Sequence, residues 1–173
     1  MQEFNNFIRN YIRSKRYDYS WLDQKSLELS ELLKRLKYLL DARAIIILCD
    51  KEREWYLHYL TNLLNSSKNN RPLLPIFSLR DFYSATSNED LINDLFSLSF
   101  QNGHTYIYFG KDNDKLAKIA KNKNDSILFI FDEEYSNAFY LNSKDENLDI
   151  KLISLANLIN ACLDAIVFNK VNI

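Results

Sequence analysis

Carboxylates are the most plentiful chemical resource of this chain, and they fall where strands are expected to end. Asp50-Lys51-Glu52-Arg53-Glu54 follows one apolar run, Gly110-Lys111-Asp112 a second and Asp132-Glu133-Glu134 a third. In an open α/β sheet, ligands bind beyond the carboxyl ends of the strands near the topological switch point, so this rim is where a substrate or ion would sit. A divalent cation would need paired carboxylates, and Asp50 with Asp132 or Glu133 is the available set. Only Asp50 is well placed for that, so solvated charges that end strands and start helices are the expectation. A phosphorylated substrate would meet repulsion at such a rim. His58 and His104 have no Ser or Cys nucleophile at a recognisable spacing, which leaves them structural. Cys49 and Cys162 lie inside Ile-Ile-Ile-Leu-Cys and Leu-Ile-Asn-Ala-Cys-Leu and read as small buried hydrophobes, with no zinc or disulfide spacing. No catalytic residue, metal ligand or cofactor site is therefore expected.

Composition narrows the function classes further. Among 173 residues there are only 2 glycines, Gly103 and Gly110, so no Gly-rich phosphate loop of the Rossmann or P-loop kind can be written. The 22 Lys and Arg against 23 Asp and Glu leave a net charge of −1, which argues against a duplex-DNA binder that must neutralise phosphates. Basic residues at Arg9, Arg13, Lys15 and Arg16, and at Lys111, Lys115, Lys118, Lys121 and Lys123, sit opposite apolar stripes and read as solvated helix faces. The N-terminus lacks an apolar signal region, and apolar stretches of five or six residues fall short of a membrane span. A cytoplasmic protein is expected.

The elements that must position these groups are legible as alternating patterns. Five apolar or aromatic runs predict strands: Ala44–Cys49, Pro72–Ser78, Thr105–Gly110, Ser126–Phe131 and Ala138–Asn142. The first and fourth are almost continuously apolar, as strands covered on both faces of a parallel sheet are. Helical stripes lie between them at Tyr56–Leu64, at Leu91–Phe96 with Ser87 and Asp90 as a capping box, and at Lys115–Lys121. This alternation predicts a three-layer α/β fold with a five-stranded parallel sheet. Two further helices precede the first strand, one on Phe4, Phe7, Ile8, Tyr11 and Ile12, the other on Leu29, Leu32, Leu33, Leu36 and Leu40. The last, from about Leu148 to Phe168, is apolar almost all round apart from Asn157, Asn160 and Asp164, and must be covered on several sides, by the sheet and its neighbours or by another subunit. The reading is one domain over 1–173 with no linker, its first 40 residues serving oligomerisation through the Phe4, Phe7, Ile8, Tyr11, Ile12 stripe.

Aromatics stand out, with 11 Tyr, 11 Phe and 2 Trp. Tyr17, Tyr19 and Trp21 fall between the first helices, and Phe82 and Tyr83 in the loop after the second strand, where core residues are not expected. Arg53, Trp55 and Tyr56 open the helix after strand one, and Arg80, Asp81, Phe82 and Tyr83 follow strand two. Both segments follow adjacent strands and should emerge on one rim. Aromatic anchors ringed by charge are the composition of a protein–protein interface, so these seven residues are the expected partner site, with packing under the neighbouring loop as the other reading of Trp55 and Tyr56.

Several motifs in order along the chain carry a resemblance: Trp21-Leu22, Trp55-Tyr56-Leu57, Tyr59-Leu60, Arg71-Pro72-Leu73-Leu74, Phe82-Tyr83, Phe131-Asp132-Glu133-Glu134 and Asn169-Lys170-Val171. Together they resemble the HobA family. That resemblance implies a sugar-isomerase-like (SIS-like), flavodoxin-like sheet and a non-enzymatic adaptor that binds the N-terminal domain of the replication initiator DnaA. It further implies a homotetramer that promotes initiator assembly at the chromosomal origin, comparable to DiaA. The phosphosugar loop of SIS domains uses Gly and Ser after the first strand, whereas this chain has Asp50-Lys51-Glu52-Arg53-Glu54 there. The alternative from another class, a phosphosugar-binding or isomerising protein, is disfavoured by those residues.

Overall fold

The computed structural model describes residues 2–15, 19–82 and 89–173. Five parallel strands, β1 (Ala44–Cys49), β2 (Ile76–Ser78), β3 (His104–Lys111), β4 (Ile127–Phe131) and β5 (Ala138–Leu141), form one sheet in the order β2-β1-β3-β4-β5. The order reverses between β1 and β3, which makes the gap beyond their carboxyl ends the switch point.

Helix α4 (Glu54–Leu64) follows β1, α5 (Leu79–Phe82) and α6 (Glu89–Ser99) follow β2, and α7 (Lys115–Lys121) follows β3. Alternation along the strands explains how both faces are filled. Ile46, Leu48, Tyr106, Tyr108, Leu128 and Ile130 share one face with Ile92 and Phe96 of α6 and with Ala117, Ile119 and Ala120 of α7. On the other face Phe109 stacks on Phe129 with centroids 4.4 Å apart, and Tyr56 of α4 meets Phe109 edge-on at 4.8 Å. These elements belong to a compact unit of residues 38–141.

The rest forms a second compact unit, residues 1–37 with 142–173. It contains α1 (Gln2–Ser14), α2 (Ser20–Asp23), α3 (Ser26–Leu33) and α8 (Leu148–Val167). Within it α1 packs on α2, α3 and α8, and the Asn172 amide donates to Glu3 at 3.0 Å, so the two ends of the chain close on each other. The α1 stripe expected to serve oligomerisation is used largely for packing within the chain. Phe4, Ile8 and Ile12 are buried inside their own chain, because an amphipathic helix beside apolar α3 and α8 removes its stripe from water there first. Only Phe7 and Tyr11 keep partial exposure.

Two elements differ from their sequence patterns. The predicted second helix is α3 followed by a 3₁₀ segment, Lys34–Asp41. Buried Leu33, Leu36 and Leu39 are three residues apart, the 3₁₀ repeat, and this turns Leu40 out to 63 % exposure. Strand β2 keeps only Ile76–Ser78 of the predicted Pro72–Ser78, since Pro72 and Pro75 have no N–H for a ladder. Helix α8 is long and apolar enough to cross a membrane by length and composition, but 56 % of its most apolar window is buried inside the protein.

Candidate functional site

The switch point is filled by the chain's own side chains. Asp50 ends β1 with its backbone extended, and its Oδ1 accepts from the Arg53 amide at 3.2 Å, closing a 3₁₀ turn over Lys51–Arg53 that leads into α4. Its Oδ2 accepts from Arg53 Nη1 at 2.5 Å and from the Lys111 amide at the end of β3 at 2.9 Å. The guanidinium also donates to Glu52 at 2.9 Å and lies 4.0 Å from the ring centroid of Phe131 on β4. Lys111 Nζ donates to Glu52 at 2.9 Å. The hydrogen bond from Lys111, followed by the Arg53 charge, holds the exposed Glu52 carboxyl below its usual range.

This overturns the expectation of solvated charges for two residues. Asp50 and Arg53 are both buried, at 6 % and 4 % exposure. A buried carboxylate must be paired and hydrogen-bonded, and Arg53 with two backbone amides does this. Asp50 already accepts three hydrogen bonds, and Asp132 and Glu133, the carboxylates expected to pair with it at a cation, are both exposed. Among the described residues no three His, Cys, Asp or Glu side chains converge as metal ligands. Above β3, Tyr108 donates to the Lys111 carbonyl at 2.8 Å. Its hydroxyl covers Gly110, where an added Cβ would lie 2.3 Å from it and 3.0 Å from Asp50 Cβ. Gly110 therefore serves close packing of the rim rather than an anion cradle.

The histidines and cysteines have separate environments. His58 is exposed on α4. His104 opens β3 in an aromatic box of Phe96, Phe100 and Tyr106, with Nε2 3.1 Å from the Tyr106 hydroxyl. Burial, and secondarily the Lys123 charge, lower its pKa to about 4, so its ring is neutral at physiological pH. Both thiols are buried and free; burial pushes Cys49 up to about 12 and Cys162 higher still.

The seven expected partner residues separate into distinct environments. The two segments do meet: Glu54, the first residue of α4, is ion-paired with Arg80 of α5. Trp55 is 42 % exposed and rests edge-on against Tyr56 at 5.6 Å, and Arg80 is exposed. Tyr56, by contrast, is fully buried between Trp55, Tyr59 and Phe109, and Arg53 is buried in the staple. Both side chains point at the sheet. Phe82 is half-buried, its ring set among Phe77, Phe96 and Phe100 at 5.2 to 5.6 Å, so its first role is packing. The Asp81 side chain and Tyr83 lie outside the described residues, as do Tyr17 and Ser87 of the other motifs. Sequence reasoning missed Glu54 as the group that joins the two segments; its place one residue before Trp55 was the available signal.

Strand order and switch-point geometry define a doubly wound α/β protein of flavodoxin-like order. The chain belongs to the HobA family: residues 1–173 match the family model described as DNA replication regulator. It is 26 % identical to the DNA replication regulator protein HobA of Helicobacter pylori, over 100 % of both chains. The crystal structure of a HobA–DnaA (domain I–II) complex from Helicobacter pylori is similar at 25 % identity, TM-score 0.77 and full coverage of both chains. A further crystal structure of HobA from that organism, at 24 % identity and TM-score 0.73 over 100 % of this chain and 99 % of the other, shares the fold.

Proposed function

We propose that this chain is a non-catalytic adaptor that binds the N-terminal region of the replication initiator DnaA in the cytoplasm and promotes its assembly at the chromosomal origin. The observation that carries this reading is the full-length likeness to HobA in a complex with DnaA domain I–II. The docking surface is the rim formed by Trp55 with Glu54 and Arg80, an exposed indole bordered by a charge pair. Absence of catalysis is supported by the rim itself, whose buried carboxylate is committed to Arg53 and Lys111. No cofactor, metal or DNA contact is part of the proposal.

Self-association belongs to the same reading. Ile150 and Ile153 are exposed, at 56 % and 38 %, one turn apart on α8, and a second copy covering them is the proposed occupant. The decisive test is calorimetric titration of the full chain with a DnaA domain I–II fragment. Trp55→Ala should weaken binding by about 2 kcal/mol, as truncated interface anchors do, without loss of helix content. Wild-type affinity for Trp55→Ala would remove this rim as the site. Saturable stabilisation by sugar phosphates in a thermal shift would favour the phosphosugar-binding alternative, and turnover of them would overturn the non-catalytic reading.

A further inference from the structure

We infer that Arg53 is a positioning residue for initiator recognition: it touches no partner, but with Asp50 it fixes the turn that presents Trp55. This inference rests on the docking rim proposed above. Trp55 has few restraints of its own. It is the second residue of α4, its ring leans on Tyr56, and close to half of it faces water.

Its place is set instead by what precedes it. The Asp50 carboxylate joins the ends of β1 and β3 to the 3₁₀ turn through three hydrogen bonds, and the Arg53 guanidinium seats that turn on Phe131 of β4. Residue 54 then extends the same linkage to β2's side of the rim through Arg80. Three strand ends and the segment after a fourth are therefore tied to the Asp50–Glu54 stretch immediately before Trp55. A simpler helix start would need only a side-chain cap, as Asp114 supplies to the Leu116 amide at 2.8 Å for α7. A buried ion pair at this point stabilises folding weakly against an apolar replacement but specifies one geometry. The geometry it specifies is the orientation of an exposed indole.

The test uses the full chain in a Trp21→Phe background, which leaves Trp55 as the sole tryptophan. Arg53→Met removes the guanidinium at similar length, Arg53→Lys keeps the charge without the planar fork, and Asp50→Asn keeps the shape without the charge. Expected for Arg53→Met is a shift in Trp55 emission and anisotropy and a loss of affinity for a DnaA domain I–II fragment of about tenfold, with helix and sheet signals retained. Arg53→Lys should lose less of each. A folded Arg53→Met protein with wild-type emission or wild-type affinity overturns the inference. If Arg53→Met does not fold, Asp50→Asn decides by the same two readouts. Should Trp55→Ala itself bind like wild type, the docking rim fails first; Trp55→Ala impaired beside an unaffected Arg53→Met fails the positioning role alone.

Discussion

His104 shows how a residue with catalytic potential becomes a structural one. Its Nε2 faces the Tyr106 hydroxyl, and Phe96 and Phe100 flank the ring. Burial lowers its pKa to about 4 despite the opposing charge of Asp125, against about 6.5 in the unfolded chain. The folded state thus binds fewer protons than the unfolded state between those pH values, and stability rises with pH across that window. The contribution is complete above pH 6.5 and is lost as pH falls toward 4, amounting to up to about 3 kcal/mol. His104→Gln, which can still bond Tyr106, should show a flatter profile, and the stability gap between variant and wild type should narrow on acidification. Urea unfolding at pH 7, 5.5 and 4.5 measures this, and a gap constant with pH contradicts it.

At the scale of elements, Ala42 is a residue at odds with its position. It ends the Lys34–Asp41 3₁₀ segment with φ of 56°, and its amide donates to the Leu39 carbonyl at 3.1 Å. That left-handed conformation costs an L-residue about 1 kcal/mol and costs glycine little. Ala42→Gly should therefore raise thermal stability by up to about 1 kcal/mol, the reverse of the usual effect of a new glycine. A lower melting temperature for the variant would show that the turn is held by other contacts. The same scale shows what was readable beforehand. β1 ends where its apolar run ends, β4 and α7 fall inside their patterns, and α4 starts two residues before its stripe and ends with it, because burial sets their periodicity. The 3₁₀ segment was not readable, since Leu29, Leu32, Leu33, Leu36 and Leu40 all fit one α-helical stripe, and only the burial of Leu39 in place of Leu40 reveals the tighter turn. The Asp50 staple was not readable either, since its second partner, the Lys111 amide, lies 61 residues away. A charge at the end of an apolar run reads as solvated unless the sheet order that buries it is known.

For the whole molecule, the distribution of apolar surface separates self-association from folding. Phe4, Ile8 and Ile12 are needed inside residues 1–37 with 142–173, so removing them unpacks that unit instead of merely separating copies. Ile150 and Ile153 leave that core untouched while standing in water. Ile150→Asp with Ile153→Asp should therefore lower the mass seen by light scattering while circular dichroism and the melting transition of the monomer persist. An unchanged mass would place the contact between copies elsewhere.

The closing of one unit by both ends of the chain also bears on how the protein is made. Helix α1 leaves the ribosome before α8, on which it packs and which follows more than a hundred residues later. At ordinary elongation rates the stripe of Phe4, Ile8 and Ile12 waits on the order of ten seconds for its cover. During that interval the nascent chain carries a short amphipathic helix with an uncovered apolar face, while residues 38–141 emerge in one continuous run. Arg9 and Arg13 on the opposite face of α1 are exposed in the finished protein and keep that helix hydrated during the wait. A message truncated before codon 148 yields a chain whose first helix is never covered, which makes it a ready substrate for chaperones and proteases.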